Sequence, residues 1–495
     1  MSARNESNSS GVLQWVVVLV VGVLVVAIVL GLNLIPRLND GQKVLDGARP
    51  AYAEKRVAAS RAGIDAISDL VNMSNPIVTP KGGGAAEVPT VVAFVAQKNR
   101  ISEPEALALL QKQFPHTTAL LQAIPLTSVT AELPGLQAFL AKTLKVTPAQ
   151  LTAALKSDFP ALYQAIANLP TVTKGWDGIP GIDGLTRFDG APVKDVPQTR
   201  TYFSSDVVPV LEKQRGNFDS LDGKSAVNWI APLLLIVGIV VILLAALMIF
   251  RNRRGNSRGE AVASATVVPV VGVVVVALVL VLALIPRLSD GQKLLDGLEP
   301  AMQDERVQGD RVGIKMVSAI VDTVDPLMTP EGGGAAEVPK LVAFVSQKSG
   351  LSESEVLAAL QKSFPHTTAL LQAIPFSSVT AELPALVGFL SPAVLTKIPK
   401  LAPTVLNARA VTTQWNNVPG TAGATRFDGA PLKSVPDVRT YFSQDVIPVL
   451  ETQRTNYDSL TAKSNINFIG PLVLIIGIIV IVFGLLMVLL ARRRT

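Results

Sequence analysis

Cysteine is absent from the 495 residues of this chain, and histidine occurs only at positions 116 and 366. Without cysteine there is no disulfide, no thiolate metal site and no cysteine nucleophile. Charged residues are also scarce: they make up 17% of the chain, compared with about 25% in an ordinary soluble domain. Because 49% of the residues are hydrophobic, the composition indicates a membrane protein.

Recognisable catalytic and cofactor motifs are lacking as well. The triple glycines at 82–84 and 332–334 fit neither a P-loop nor a GxGxxG pattern, so they indicate turns. Asp177, Asp183 and Asp189 each precede glycine, which is typical of turns, and their spacing does not fit a calcium loop. No oriented nucleophile or acid–base pair is evident. We therefore predict a non-enzymatic protein without cofactor or metal.

Both histidines lie in a repeated segment, FPHTTALLQAIP, at 114–125 and 364–375. A functional interpretation makes them a pH-sensitive or metal-binding pair, although no further ligands accompany them at suitable spacing. The alternative is a histidine in a helix-entry turn, after a proline suited to the first turn. The candidate interaction or ligand surface comprises the aromatic and histidine residues of both copies: Phe114, His116, Phe364 and His366.

Four long apolar runs are present. Their predicted boundaries are 12–36, 229–250, 262–286 and 466–491. Each is long enough to cross a hydrocarbon core, which takes about 20 helical residues. In hydrocarbon only helices and closed barrels satisfy the backbone, so these runs predict four transmembrane helices. None carries an ionisable residue, which argues against a transporter or channel.

Small residues in the first run predict where helices pack closely. Ala27 and Gly31 lie four residues apart. Small residues at this spacing let the backbones of membrane helices approach each other. We therefore expect a helix–helix contact at this pair.

Charge beside the spans predicts their orientation. The connection 251–261 carries four arginines against one glutamate, and the tail 492–495 carries three arginines. Basic short loops stay in the cytoplasm, so both termini, including residues 1–11, are predicted to be cytoplasmic. The long segments 37–228 and 287–465 then form two extracytoplasmic domains. The bias towards Ala, Val, Leu, Pro and Arg is typical of GC-rich bacteria, and we predict a bacterial plasma-membrane protein.

Colinear repeats predict a tandem duplication. TPKGGGAAEVP at 79–89 recurs as TPEGGGAAEVP at 329–339, and RFDGAP at 187–192 recurs at 426–431. The offset falls from 250 to 239, so the second copy lacks 11 residues, in the part equivalent to 141–186. The repeated unit is a span, a helical extracytoplasmic domain and a span. Both copies enter the membrane from the same side, which predicts an internal pseudo-dimer about the membrane normal that can assemble further.

The extracytoplasmic segments are predicted to be all-α. Prolines punctuate the first of them at 89, 104, 115, 125, 134, 148, 160 and 170. An interior proline costs a helix about 3 kcal/mol, so this spacing predicts short helices that end near each proline. Ser102 with Glu105, and Ser352 with Glu355, predict capping boxes.

Two functional hypotheses follow. No basic stripe with interleaved aromatics is present, so nucleic-acid binding is not expected. The leading hypothesis is a non-enzymatic envelope adaptor, scaffold or accessory subunit that presents paired helical domains to a membrane or envelope protein. The alternative is a small-ligand or lipid-binding accessory of a transport or sensing system, with the FPHTTALLQAIP segment lining a pocket between the domains. The lipid bilayer is the other expected partner.

Overall fold

The computed structural model describes residues 3–222, 227–253, 258–461 and 468–493. In this part of the chain the fold is all-helical, which confirms the predicted class. Parts of the predicted basic loop (254–257), of the second predicted domain and fourth span (462–467) and of the tail (494–495) lie outside the described residues.

The helices follow one another in a similar order in the two halves of the chain. Those of the first half are α1 (Ala3–Gly31), α2 (Leu34–Tyr52), α3 (Glu54–Val78), α4 (Gly84–Asn99), α5 (Glu103–Gln113), α6 (Pro115–Ala123), α7 (Leu126–Leu144), α8 (Pro148–Asp158), α9 (Pro160–Gly175), α10 (Val196–Tyr202), α11 (Val208–Asp222) and α12 (Ile230–Arg253). Those of the second half are α13 (Arg258–Val281), α14 (Leu284–Leu298), α15 (Asp304–Met328), α16 (Gly334–Ser349), α17 (Glu353–Ser363), α18 (Pro365–Ala373), α19 (Phe376–Leu390), α20 (Ala402–Trp415), α21 (Val435–Thr440), α22 (Ile447–Thr461) and α23 (Ile469–Arg493). Helix α8 has no counterpart, since the second half has there only a short 3-10 turn, Pro392–Val394.

The capping boxes form as predicted. The backbone N–H of Ser102 donates to Glu105 Oε2 at 2.8 Å, at the start of α5. The backbone N–H of Ser352 makes the same 2.8 Å bond to Glu355, at the start of α17. A capping box depends only on two residues three positions apart, and for this reason it can be predicted from the sequence alone.

Proline does not separate helices everywhere. As predicted, Pro115 and Pro160 begin α6 and α9. The prediction is wrong at Pro89, Pro134 and Pro170, which lie inside helices. All three are on exposed faces, where water can bind the carbonyl that loses its N–H donor.

The chain divides into two compact units, and each unit draws on both halves. Unit 1 consists of Met1–Tyr52, Val210–Met302 and Val449–Thr495. Unit 2 consists of Ala53–Pro209 and Gln303–Pro448. Residues from both predicted extracytoplasmic domains therefore share unit 2.

Unit 1 contains the apolar helices. Two of them are long and apolar enough to cross a membrane, within Val227–Arg251 and Ile469–Leu486. Three bent helix pairs meet the same test when each pair is taken together: Trp15–Gly31 with Leu34–Tyr52 (51°), Thr266–Val281 with Leu284–Leu298 (43°), and, in unit 2, Pro365–Ala373 with Phe376–Leu390 (83°). The described residues thus contain two such helices, or up to five if each bent pair forms one span. The number four stays a prediction.

Glycines set the closest helix contacts in unit 1. A Cβ on Gly22 of α1 would lie 3.0 Å from the carbonyl oxygen of Gly238 in α12. Helices α13 and α23 meet in the same way at Gly272, where a Cβ would lie 2.9 Å from the carbonyl oxygen of Gly477. A Cβ on Gly31 would meet nothing within 4 Å. The contact predicted at Gly31 is therefore wrong, because α1 packs on α12 through the face that carries Gly22.

Side chains from the two halves also meet in the core of unit 1. The guanidinium of the buried Arg37 donates from Nε and Nη2 to the carbonyl oxygen of Leu460, at 3.2 and 2.6 Å. The hydroxyl of Tyr457 donates to the carbonyl oxygen of Leu295 at 2.9 Å, within the second half. Arg37 thereby binds one of the carbonyls that a helix leaves unpaired near its C-terminal end.

In unit 2, helices of each half of the chain pack against helices of the other half. Helix α9 of the first half packs along α15 of the second, and α20 of the second packs along α3 of the first. The RFDGAP loops are exchanged too, since Arg56 donates to the carbonyl oxygens of Thr425 and Arg426 at 2.6 and 2.9 Å. The guanidinium of Arg306 makes the reciprocal contacts to the first-half loop. Each half of unit 2 therefore lacks a complete core by itself.

Candidate ligand-binding cavity

The two FPHTTALLQAIP segments form α6 and α18, which pack against each other at the centre of unit 2. Nδ1 of His116 lies 2.9 Å from the carbonyl oxygen of Gln372, and Nδ1 of His366 lies 2.9 Å from that of Gln122. A carbonyl oxygen only accepts, so each Nδ1 carries a proton. The histidines therefore link the two segments to each other.

The local position of each histidine matches the helix-entry interpretation. Pro115 and Pro365 occupy the first turns of α6 and α18, and each histidine follows directly. Among the residues that the structure describes, no group of three or more histidine or acidic side chains is placed to hold a metal ion.

Two glutamates cap the helices that carry these histidines. The carboxylate of Glu382 accepts hydrogen bonds from the backbone N–H of His116 at 3.2 Å and of Thr117 at 2.8 Å. Glu132 does the same for α18, with the backbone N–H of Thr367 at 2.8 Å. Each acid belongs to the half opposite the helix it caps. A carboxylate here satisfies unpaired N–H groups and the positive end of the helix dipole.

A second pair of glutamates, from the GGGAAEVP repeats, acts in the same way. Glu87 accepts from the backbone N–H of Leu401 at 2.8 Å, at the start of α20. Glu337 accepts from the backbone N–H of Leu162 at 2.8 Å, in the first turn of α9. Sequence reasoning missed all four capping glutamates. Each of these glutamates recurs in both repeats, and this recurrence is the sequence signal that could have predicted a structural role for them.

The phenylalanine candidates differ in burial, since Phe114 is buried and Phe364 is half-buried. The Phe114 ring is 5.6 Å from that of Phe389, and the Phe364 ring is 5.7 Å from that of Phe139. Phe114 is only 6% exposed, so it is not available to an external partner. Each ring pair joins the two halves.

A large cavity lies next to these elements, inside unit 2. It offers about 100 Å³ to the centres of water-sized spheres. Its walls come from α3, α4, α6, α7, α9, α15, α19, α20 and the segment 391–401. The FPHTTALLQAIP segment contributes Thr117, Leu120, Leu121 and Ile124. None of the four candidate residues lines it, although Phe364 lines a smaller cavity.

The cavity wall is apolar in its chemistry. No lining residue is charged, and the polar ones carry only hydroxyls: Ser74, Thr117, Thr323, Thr380, Ser391, Thr404 and Thr412. The Thr404 hydroxyl donates to the carbonyl oxygen of Met73 at 2.7 Å. The Thr323 hydroxyl donates to that of Ala319 at 2.7 Å, one turn earlier in α15. Because such hydroxyls are already bonded within the protein, the wall favours hydrocarbon over polar groups.

A smaller cavity lies next to the large one, and the two share the lining residues Leu126, Leu169, Thr323, Val324 and Phe376. It offers about 50 Å³ to the centres of water-sized spheres and is lined by Thr367, Leu371 and Ile374 of the second FPHTTALLQAIP segment, among others. On this side Leu155 of α8 packs against the buried cluster that includes Ile374 and Phe159. The large cavity lies on the side where the chain lacks a helix equivalent to α8. The absence of 11 residues from the second copy thus coincides with the wider space.

A deeply buried acid lies outside the cavity, in addition to the buried Asp206 and Asp445. Asp310 of α15 is 1% exposed, and burial raises its pKa to about 8, partly opposed by the neighbouring Tyr202 phenol and Arg306 guanidinium. Burial also raises the pKa of Tyr202. The position equivalent to Asp310 in the first half is Ser60. The two halves of unit 2 therefore differ at one buried position, where only the second half carries an ionisable side chain.

Comparison with protein-family models, with curated proteins and with solved structures finds no match to this chain.

Proposed function

We propose that this chain is a membrane-anchored binding protein whose unit 2 holds a small apolar ligand. The observation that supports this most directly is the cavity in unit 2, whose lining carries no charged residue, in keeping with the mostly apolar pockets that bind small ligands. Protein interiors are normally packed as densely as organic crystals. A cavity lined by apolar side chains offers water few hydrogen-bond partners, so a hydrocarbon ligand suits it better than a polar one.

The membrane arrangement is part of the proposal. We infer four spans at 12–36, 229–250, 262–286 and 466–491, in a bacterial plasma membrane. The bent pair α18–α19 is not counted, since it packs against first-half helices in unit 2. The arginines of 251–261 and 492–495 support cytoplasmic termini, which leaves unit 2 outside the cytoplasm.

The natural lack of cysteine makes this orientation easy to test. Lys112→Cys places a thiol at an exposed position of unit 2, and Thr495→Cys places one in the tail. A membrane-impermeant maleimide added to intact cells should label the first variant and not the second. Labelling of the tail alone would reverse the proposed orientation.

The interlocked halves support a tandem duplication. In our proposal a two-span ancestor formed an exchanged homodimer, and fusion through the connection 251–261 placed both subunits in one chain. The reciprocal contacts of Arg56 and Arg306 and of Glu132 and Glu382 are those expected of such a dimer. Fusion also allows the two copies to diverge, and the unequal cavities fit this history.

A ligand-binding accessory of a transport or sensing system accounts for these features better than a pure scaffold, because a scaffold has no need of a large internal cavity. The decisive experiment is affinity purification from the native membrane in mild detergent after brief crosslinking, with lipid and protein readout. A stoichiometric bound small molecule supports the proposal. A chain free of small molecules but with a stoichiometric protein neighbour would favour the adaptor hypothesis instead.

A further inference from the structure

The large cavity and the smaller one beside it are separated by a small set of side chains. The residues that line both cavities are Leu126, Leu169, Thr323, Val324 and Phe376. A residue that borders two neighbouring spaces lies between them, so these five form a dividing wall. Phe376 carries the largest side chain of the five and the only ring.

The dividing wall is built on helices. Leu169 of α9 and Thr323 of α15 are each 4% exposed, and the Thr323 hydroxyl donates to the carbonyl oxygen of Ala319. Leu126 and Phe376 begin α7 and α19, directly after the prolines that end the two FPHTTALLQAIP segments. Because its residues belong to packed helices, the wall has a defined position in unit 2.

The side chain of Phe376 packs towards the smaller cavity. It lies against a buried cluster that consists of Phe159, Leu162, Ala165, Leu327 and Ile374. The last four of these line the smaller cavity and not the large one. Later residues of the same helix, such as Val379 and Leu383, line the large cavity. Phe376 therefore closes the large cavity where it borders the smaller one.

The two cavities are lined by equivalent positions of the two halves. Val405 of α20 lines the large cavity, and Ile166, its equivalent in α9, lines the smaller one. The residue equivalent to Phe376 is Leu126, at an offset of 250. The second half therefore contributes a ring to the dividing wall where the first half contributes an aliphatic side chain.

We propose that Phe376 is a specificity-determining residue that sets the length of the hydrocarbon chain held in the large cavity, an inference that rests on the proposed function. The ligand is then a single-chain hydrocarbon whose terminal methyl group contacts Phe376. Each methylene adds affinity until the chain reaches the dividing wall, and further methylenes meet a packed side chain. Removal of the ring makes the smaller cavity available to a longer chain.

The test measures how affinity depends on chain length, by calorimetry on the delipidated full chain in amphipol. The probes are octanoate, decanoate, laurate, myristate, palmitate, stearate and arachidate. In the native chain we expect the affinity to stop rising at one member of this series. In Phe376→Ala it should rise further, by up to about fifteenfold for each pair of added methylenes. Phe376→Leu, which installs the residue found at position 126, should extend the rise less, and it serves as the test if a circular dichroism melt shows that Phe376→Ala does not fold.

Two further variants are matched controls. Phe139→Ala removes another half-buried ring, which packs against Phe364 and lines neither cavity, so the native limit should remain. Ile166→Phe fills the smaller cavity from α9 and should by itself leave the native limit unchanged. Combined with Phe376→Ala, it should cancel most of the extension, because the space behind the dividing wall is then occupied.

The outcomes separate this inference from the proposed function. Absence of binding for every probe in the native chain would overturn the proposed function itself. Binding with the same limit in the native chain and in the folded Phe376 variants would overturn the role of Phe376 and leave the ligand-binding cavity standing. The same conclusion follows if native affinity rises through the whole series, if Ile166→Phe alone shortens the limit, or if it fails to reduce the extension in the double variant.

Discussion

The carboxylate of Glu382, in the second half of the chain, accepts hydrogen bonds from both the backbone N–H and the hydroxyl of Thr117 in the first half, each at 2.8 Å. This contact and its reciprocal at Glu132 each join a helix that carries a FPHTTALLQAIP segment to a helix of the other half, α6 to α19 and α18 to α7. They show how unit 2 is held together: each half supplies the acids that complete the helices of the other. The repeated motifs are therefore parts of one interlocked structure.

Removing one of these caps should destabilise unit 2. Glu382→Ala leaves two N–H groups at the start of α6 without their acceptor, and we expect a loss of about 1–3 kcal/mol in the free energy of unfolding. Glu331→Ala, which removes an exposed acid, should cost less than about 0.5 kcal/mol. Denaturant unfolding in detergent measures both. Equal effects would contradict the capping role.

The exchange of helices predicts that neither half folds as a monomer. Fragments 1–256 and 257–495, expressed together, should assemble into a complex that survives purification through a tag on only one of them. Expressed alone, each lacks the helix that completes its core, since α3 needs α20 and α15 needs α9. A folded, monomeric single half, detected by light scattering and circular dichroism, would contradict the interlocked arrangement.

The buried Asp310 predicts a pH dependence of stability. Its pKa is raised from 3.8 to about 8, so between these values the folded state holds a proton that the unfolded state has released. The free energy of unfolding should therefore fall as pH rises from about 4 towards 8, by up to about 1.4 kcal/mol per pH unit. Asp310→Ser, which installs the residue found at position 60, should remove this component. Thermal melts of both proteins from pH 5 to pH 9 measure this component. Identical pH profiles for the two proteins would contradict a contribution from Asp310.

The glycine contacts in unit 1 predict a difference between two substitutions in one helix. Gly22→Leu forces a side chain into the backbone of α12 and should separate α1 from α12, with a clear drop in thermal stability in detergent. Gly31→Leu meets open space and should melt close to the native protein. A larger effect at Gly31 would show that the helices pack through another face.

Chain length should control affinity for the large cavity. Each added methylene buried in the cavity contributes about 0.8 kcal/mol, or about fourfold in the dissociation constant, until the space is filled. A series of fatty acids measured by calorimetry should show this slope and then a plateau. An affinity that does not change with chain length would place the hydrocarbon outside the cavity.

The sequence predicted the features that depend on neighbouring residues or on composition. The all-α class and the capping boxes at Ser102 and Ser352 follow from local patterns. The exchange between halves could not be predicted, because identical segments carry the same information whether they pair within a copy or between copies. The roles of Glu87 and Glu382 were hidden for the same reason, since their partners lie in the opposite half.

The cavity could be predicted from the sequence only in part. The 11-residue difference between the copies was visible, and it maps to α8, but its effect on volume depends on how Leu155 packs across the halves. Of the candidate segment, the apolar residues after His116 line the cavity, while the histidines themselves bond to backbone carbonyls. Histidine was chosen as a candidate because it is rare in this chain, whereas binding of a hydrocarbon depends on the common aliphatic residues that line the cavity.

The most direct test of the central claim is native mass spectrometry of the full chain from its own membrane, with two phenylalanine variants in the same helix. Val405→Phe fills the large cavity from α20. Leu406→Phe, at the next position, adds the same ring to a residue that is 65% exposed. We predict one bound small molecule per chain in the native protein and in Leu406→Phe, and its loss in Val405→Phe. A native chain without bound ligand, or full retention in Val405→Phe, would contradict a ligand-binding cavity.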